Sequence, residues 1–175
     1  MRLSIFLIIG SFMLIGCSGN SGSVRKAEKE MKIFRAQVIS IAEKYVTDQL
    51  QDTAKITDAN GIIKIGNDQK RFIIDPANII TGFIDADKST DAIIPVFPFE
   101  GQYEVTTQHL FITGKNGKYM LEVALETDMK VISVRDGIIT ADVPEHSRNN
   151  PLFNCSSCWE VVRYRLINGE LVKVE

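Results

Sequence analysis

The stretch that decides the fold runs from Gln102 to Leu125, QYEVTTQHLFITGKNGKYMLEVAL. Apolar and polar residues alternate along it, and the alternation breaks once, at Asn116-Gly117. An Asn-Gly pair between alternating runs is a strong hairpin signal, because both residues tolerate positive φ. The pattern predicts two antiparallel strands, with Tyr119, Leu121, Val123 and Leu125 toward a core and Glu122 and Glu126 outward. His109 falls on the same side as Tyr103, Val105, Thr107 and Phe111, as a packed or rim histidine.

The pattern repeats downstream. KVISVRDGIITADV (130–143) turns at Asp136-Gly137, and VVRYRLINGELVKV (161–174) turns at Asn168-Gly169. Three such turns at short intervals specify an antiparallel meander. Upstream, GIIKIGNDQKRFIID (61–75) gives two short runs around Gly66-Asn67-Asp68. DAIIPVF (91–97) is a compact apolar run whose Pro95 lacks a ladder donor, which predicts a sheet edge or a bulge. Just beyond, PVFPFEGQY (95–103) reads as a stretch leaving the sheet, with Phe97, Phe99 and Tyr103 around its prolines.

Before the strands, Val24 to about Gln51 reads as one amphipathic helix. Ala27, Met31, Phe34, Val38, Ile41 and Tyr45 form its apolar stripe, and Lys26, Lys29, Glu30, Lys32, Glu43 and Lys44 fall on other faces. The stripe is better matched to the protein's own sheet than to a coiled-coil partner. The expected architecture is α+β. One long N-terminal helix packs on a curved antiparallel sheet, or a partly open barrel, of about seven to nine strands.

Composition sets the outer limits. The chain has 175 residues, 45% hydrophobic and 24% charged, which suits one ordinary globular domain. A formal net charge of −2 speaks against a dedicated nucleic-acid binder, which carries a basic excess. The first sixteen residues stand apart. MRLSIFLIIGSFMLIG has Arg2, then an apolar run from Leu3 to Ile15 that is too short to span a bilayer but suited to a signal peptide.

The residues LIGC, Leu14 to Cys17, resemble the lipobox of bacterial lipoprotein precursors. That resemblance implies cleavage before Cys17 and a diacylglyceryl group on its sulfur, so that residues 1–16 are removed. Residues 17–23 become the lipidated cysteine and a Gly/Ser tether (SGNSGS after Cys17), and residues 24–175 form the single domain. Two or more acyl chains hold a protein to a membrane stably. Ser18 after the cysteine resembles the pattern sent to the outer membrane, so the resemblance implies a periplasm-facing, lipid-anchored envelope protein with the membrane as its first partner. The short tether would hold the domain close to the bilayer surface.

With Cys17 acylated, Cys155 and Cys158 remain as a CxxC pair in LFNCSSCWEV. The spacing suits a redox couple, half a zinc site or a disulfide clasp. A redox centre wants a helix after the motif, yet CWEVVRYRLI has strand character. Zinc wants about four ligands, and His109 and His146 are the only histidines. A clasp at the start of a strand is the expectation, since thiols outside the cytoplasm are generally oxidised.

Two segments carry possible chemistry. In FIDADKSTDAII, Asp85, Asp87 and Asp91 could supply oxygen ligands to calcium. The segment resembles the Asp-rich loop-to-strand pattern of integrin-type propeller repeats, but Thr90 stands where that pattern has glycine, and no second copy exists. A solvated turn, with the carboxylates accepting from backbone N–H groups, is the competing account and the favoured one. The long connection DVPEHSRNNPLFN (142–154) holds His146 and Arg148, which with Phe97 and Phe99 make the candidate ligand-binding face. No P-loop, Rossmann glycine pattern, H-E-x-x-H or G-x-S-x-G motif occurs. The expected function is therefore a non-catalytic domain binding an envelope protein or ligand, with no nucleic acid and no cofactor beyond possible calcium. The alternatives are an envelope hydrolase using the 142–154 loop and a calcium-stabilised structural protein.

Overall fold

The computed structural model describes residues 21–50, 54–85, 87, 89–100, 103, 104, 106–144 and 159–174. Helix α1 (Ser21–Leu50) is followed by strands β1 (Lys55–Ala59), β2 (Ile62–Gly66), β3 (Lys70–Ile74) and β4 (Ile80–Gly82). Then come β5 (Asp91–Glu100), β6 (Tyr103–Glu104), β7 (Gln108–Lys115) and β8 (Lys118–Glu126). The chain ends with β9 (Lys130–Arg135), β10 (Ile138–Pro144), β11 (Trp159–Ile167) and β12 (Glu170–Val174). The α+β class holds. The single sheet does not, for there are two antiparallel sheets and no closed barrel. An eight-stranded sheet has the path β1-β2-β3-β5-β7-β8, with β4 and β6 short partners of β5, and a four-stranded sheet has the order β12-β11-β10-β9.

The second sheet answers a need of the first. Strand β5 is buried along Asp91–Ile94 and β7 along Gln108–Gly114, with consecutive side chains on opposite faces. On one face Ala92, Ile94, Val96, Leu110 and Ile112 join Ile65, Phe72 and Ile74 under the helix. On the other face Ile93 and Phe111 meet Met129, Val134, Ile139 and Ala141 of the small sheet and its approach. One helix covers only one face, so β9–β12 fold across the other. The result is three layers, helix on large sheet on small sheet.

Four hairpins fix the register. Asn60-Gly61, Asn116-Gly117, Asp136-Gly137 and Asn168-Gly169 all have positive φ at both positions, as a type I′ turn requires. The last three were legible in the sequence. The first, with the exposed edge strand β1 that it joins to β2, is additional. On β8 the pairing slips between Phe111↔Val123 and Ile112↔Leu121, leaving Glu122 as an extra residue. This bulge splits the stripe read as one face: Tyr119 and Leu121 pack toward the helix layer, whereas Val123 and Leu125 pack toward the small sheet. Glu122 and Glu126 are exposed, as their pattern predicts.

The helix starts at Ser21 rather than Val24, and its buried stripe is Phe34, Val38, Ala42, Val46 and Leu50. Ile41 and Tyr45 pack at its margin, and the Phe34 ring meets Tyr119 edge-on with centroids 5.0 Å apart. Ala27 and Met31, expected in the stripe, are exposed along with all of residues 24–33, because the helix overhangs the sheet there. Among the described residues no helix is long and apolar enough to cross a membrane.

Pro95 is neither at an edge nor in a bulge. It sits inside a central strand, opposite His109 of β7. On the far side of β5, the partner β4 ends its pairing at Ile93 and β3 begins at Val96, so Pro95 falls where the ladder changes neighbour. Pro98 does the same on the other flank, between β7 pairing up to Val96 and β6 pairing from Phe99. A missing N–H does no damage at such a gap. The stretch 95–100 therefore stays in the sheet.

The two sheets touch most closely where β4 runs beside β9. A Cβ on Gly82 would press on the Val134 carbonyl oxygen and lie 2.7 Å from the Val134 Cβ. Gly82→Ala is expected to push the sheets apart and destabilise the fold by roughly 1–3 kcal/mol, the usual scale of overpacking. Thermal unfolding checks this: a midpoint equal to that of the parent would refute the close approach.

Candidate functional site

Between the small sheet and the outer face of β5 and β7 lies a cavity of about 420 Å³. Ile80, Ile93, Pro95, Phe97 and Val131 give it apolar walls; Asn78, Thr107, His109 and Lys130 contribute its polar groups. Each segment arrives for its own reason. The short 3₁₀ turn Pro76–Asn78 starts where Asp75 accepts from the Ala77 N–H at 2.9 Å, with proline at the first helical position. It carries Asn78 over the cavity and leads into β4. Pro95 and Phe97 are alternate residues of β5 on the side away from the helix, and Lys130 and Val131 open β9.

His109 forms the deepest polar group. It is 3% exposed, and its Nδ1 lies 3.0 Å from the Thr127 Oγ1. The ring lines the cavity, and among the described residues no buried side-chain nitrogen or oxygen lacks a hydrogen-bond partner. Burial pushes the imidazole pKa down from 6.5 to about 4, because the charged ring loses its hydration. At neutral pH the ring is uncharged and holds one donor and one acceptor. Lys130 is the one ionised residue at neutral pH among the described residues that line the cavity, and Asp142 stands opposite it in the β9–β10 register. A wider recess of about 490 Å³, lined by Phe83, Ile84, Asp85, Asp136, Gly137, Arg165 and Leu166, is mostly exposed surface.

The structure brings Asp85, Asp87 and Asp91 together, one carboxylate oxygen of each within 4.8 Å of the others. Their oxygens already serve the backbone. Asp91, fully buried, accepts from Ile84 N at 2.6 Å and Gly114 N at 2.9 Å, with Asp85 N at 3.5 Å. Burial pushes its pKa up, and the Gly114 and Ile84 donors pull the other way. Asp85 accepts from Asp87 N at 2.9 Å, and Asp87 from Ser89 N at 2.7 Å. These are the turn bonds expected of aspartates in a loop. Calcium takes six to eight oxygens; these three carboxylates bring one oxygen each to a common point, and one of the three residues is interior.

Of the other expected site residues, Phe97 lines the cavity and Phe99 lies further along the same strand outside its wall. Cys17, His146, Arg148, Cys155 and Cys158 lie outside the described residues, as does the 142–154 loop beyond Pro144. The segment after the CxxC pair is a strand, β11, as its composition indicates. Sequence reasoning missed Asn78, Thr107 and Lys130, which come from separate segments and share no motif. For His109 it had a signal, a histidine at a core-facing position of an alternating strand. Comparison with known proteins finds no matching family model, no matching curated protein and no matching solved structure.

Two outcomes test this geometry. Because the folded ring holds its proton less tightly than the unfolded one, stability from His109 is complete above pH 6.5 and is lost as the pH falls toward about 4. The loss is on the order of 3 kcal/mol. His109→Gln should flatten the stability profile over that window; parallel profiles for parent and variant would refute the buried neutral ring. Asp91→Ala, which leaves two buried N–H groups without an acceptor, should destabilise by about 3 kcal/mol or more and speed hydrogen exchange at Gly114 and Ile84. Unchanged exchange at those amides would contradict the assignment.

Proposed function

We propose that the chain is a lipid-anchored protein of the bacterial envelope whose domain is a non-catalytic binding module, with the cavity at His109 as its ligand site. The observation that supports the binding role is the cavity's chemistry: among the described residues, apolar walls surround a buried, neutral histidine, with Asn78, Thr107 and Lys130 also lining the space. Such a pocket, mostly apolar with few convergent polar groups, is the common form of a small-molecule site. Triad-type nucleophilic catalysis at His109 would need it paired with a nucleophile and an orienting carboxylate. Its one hydrogen-bond partner among the described residues is Thr127. No feature of the described residues favours the hydrolase reading.

The membrane anchor rests on the lipobox at Leu14–Cys17, and outer-membrane placement facing the periplasm rests on Ser18. The exposed first half of α1 gives the anchor a further role. Residues 21–33 are helical, so a lipid at Cys17 would connect to a stalk of about 20 Å, at 1.5 Å per residue, before the domain begins. That is longer than the flexible tether suggested by composition, and it lifts the cavity away from the headgroups. The Cys155–Cys158 pair serves as a disulfide clasp before β11.

The intact mass of protein extracted from its native membrane tests the anchor and the clasp together. The expected species begins at Cys17, carries acyl chains and gains the mass of two hydrogens on reduction. Cys17→Ala should move the chain from the membrane fraction to the soluble one. An unacylated parent, or a variant that remains in the membrane, would refute the anchor.

A further inference from the structure

We propose that the outward, basic face of the α1 overhang docks on the anionic headgroups of the membrane that holds the lipid anchor. The proposal rests on the anchor reading and adds the surface by which the domain itself meets the bilayer.

Charge is the first argument. Within residues 24–35 five cations, Arg25, Lys26, Lys29, Lys32 and Arg35, outnumber two acids, Glu28 and Glu30, although the whole chain carries −2. Residues three and four apart on a helix are neighbours. Arg25, Lys26, Lys32 and Ile33 all stand at that spacing from Lys29, so four cations crowd one patch with Ile33 among them. All five residues are exposed, Ile33 by 50%. Lys26 has an ion pair with Glu30 at 3.8 Å, but both side chains stand in water and the contact is weak. Like charges at this spacing destabilise a helix in water. Residues 24–33 are exposed throughout and have no packing to offset that repulsion, whereas an anionic surface turns it into attraction.

Geometry is the second argument. The buried stripe Phe34, Val38 and Ala42 continues toward the N-terminus through Met31 and Ala27, on the opposite side of the helix from Lys29. The basic face is thus turned away from the sheets. Four Cα steps separate Cys17 from Ser21, a span of at most about 14 Å. An acylated Cys17 therefore holds the start of the helix within reach of the headgroups. The cation surplus lies in the half of α1 nearest that anchor. Further along the same side come Ala36, Gln37 and Ser40, then Glu43 and Lys44, the latter paired with Asp48 at 2.7 Å. Ile33 supplies an apolar group to seat between headgroups, as on other interfacial helices. With this face down, the large sheet lies above the helix and the cavity beyond that sheet, clear of the bilayer.

The test uses the acylated protein extracted from its membrane and returned to phosphatidylcholine vesicles with or without phosphatidylglycerol, read by amide hydrogen exchange. Amides of residues 24–33 should exchange on the order of tenfold more slowly with phosphatidylglycerol present, since each cation near a charged surface contributes about fivefold in binding. Amides of β5 and β7 should not change. High salt should remove the difference. The triple variant Lys26→Gln, Lys29→Gln, Lys32→Gln should remove it too, and it keeps helix propensity at exposed sites. An acylated protein whose overhang exchanges equally in both vesicles would overturn headgroup docking while the anchor stands. Slowing that follows protein density instead of lipid charge would overturn it in favour of a second copy along Ala27 and Met31. A chain found by mass to carry no acyl group would bring down the anchor and this proposal together.

Discussion

Everything in this fold follows from two strands that are apolar on both faces. In β5 and β7 consecutive side chains are buried, so neither face of the sheet's centre can meet water. Each fully buried Ile, Val, Leu or Phe contributes roughly 1.5–3 kcal/mol relative to exposure. Leaving either face bare would forfeit several such terms, comparable to the whole net stability of a domain. The C-terminal part of α1 covers one face and the small sheet covers the other, which is why the chain crosses after β8 instead of extending the large sheet. Asp91 is the polar counterpart of that constraint. It ties the β4–β5 loop at Ile84 to β7 at Gly114, closing the corner where the three segments meet.

What could be read from the sequence was local. Asn116-Gly117, Asp136-Gly137 and Asn168-Gly169 declare their turns because few other residue pairs accept two positive φ values in succession. The helix was equally plain from its period. Features set by tertiary contact were hidden. The run DAIIPVF is continuous because both faces are covered, and a continuous run is the mark of a doubly buried strand; Pro95, by its missing donor, points instead to an edge. Tyr119 to Leu125 looked like one stripe because a bulge at Glu122 changes the face without disturbing the alternation of residue types. Ala27 and Met31 continue the period of the helix, yet periodicity does not say where the opposing surface stops.

The same distinction governs the site. Phe97 stood out as an aromatic among prolines, whereas its cavity neighbours Asn78, Thr107 and Lys130 are ordinary polar residues on three distant segments. No spacing rule unites them; only the layering of β9 over β5 and β7 does. The aspartates gave the opposite lesson. Asp85, Asp87 and Asp91 are as close together as their sequence pattern suggested, yet backbone N–H groups occupy them, and burial separates Asp91 from the other two. Proximity of carboxylates is thus a weaker statement than their availability.

His109 sets the fold against the site. A core position between Pro95 and Leu125 would be filled more favourably by an aliphatic side chain, which has no hydration to lose. The imidazole instead is held uncharged at neutral pH by burial, spends one nitrogen on Thr127 and lines a cavity. Neither sheet needs that arrangement for closure, since Ile93, Phe111, Val134 and Ile139 supply the apolar contact between the layers. Local departures from the most stable choice tend to collect where a protein works. In this molecule the departure coincides with the apolar walls of a cavity between the layers, so one position joins incomplete packing to the strongest case for a ligand.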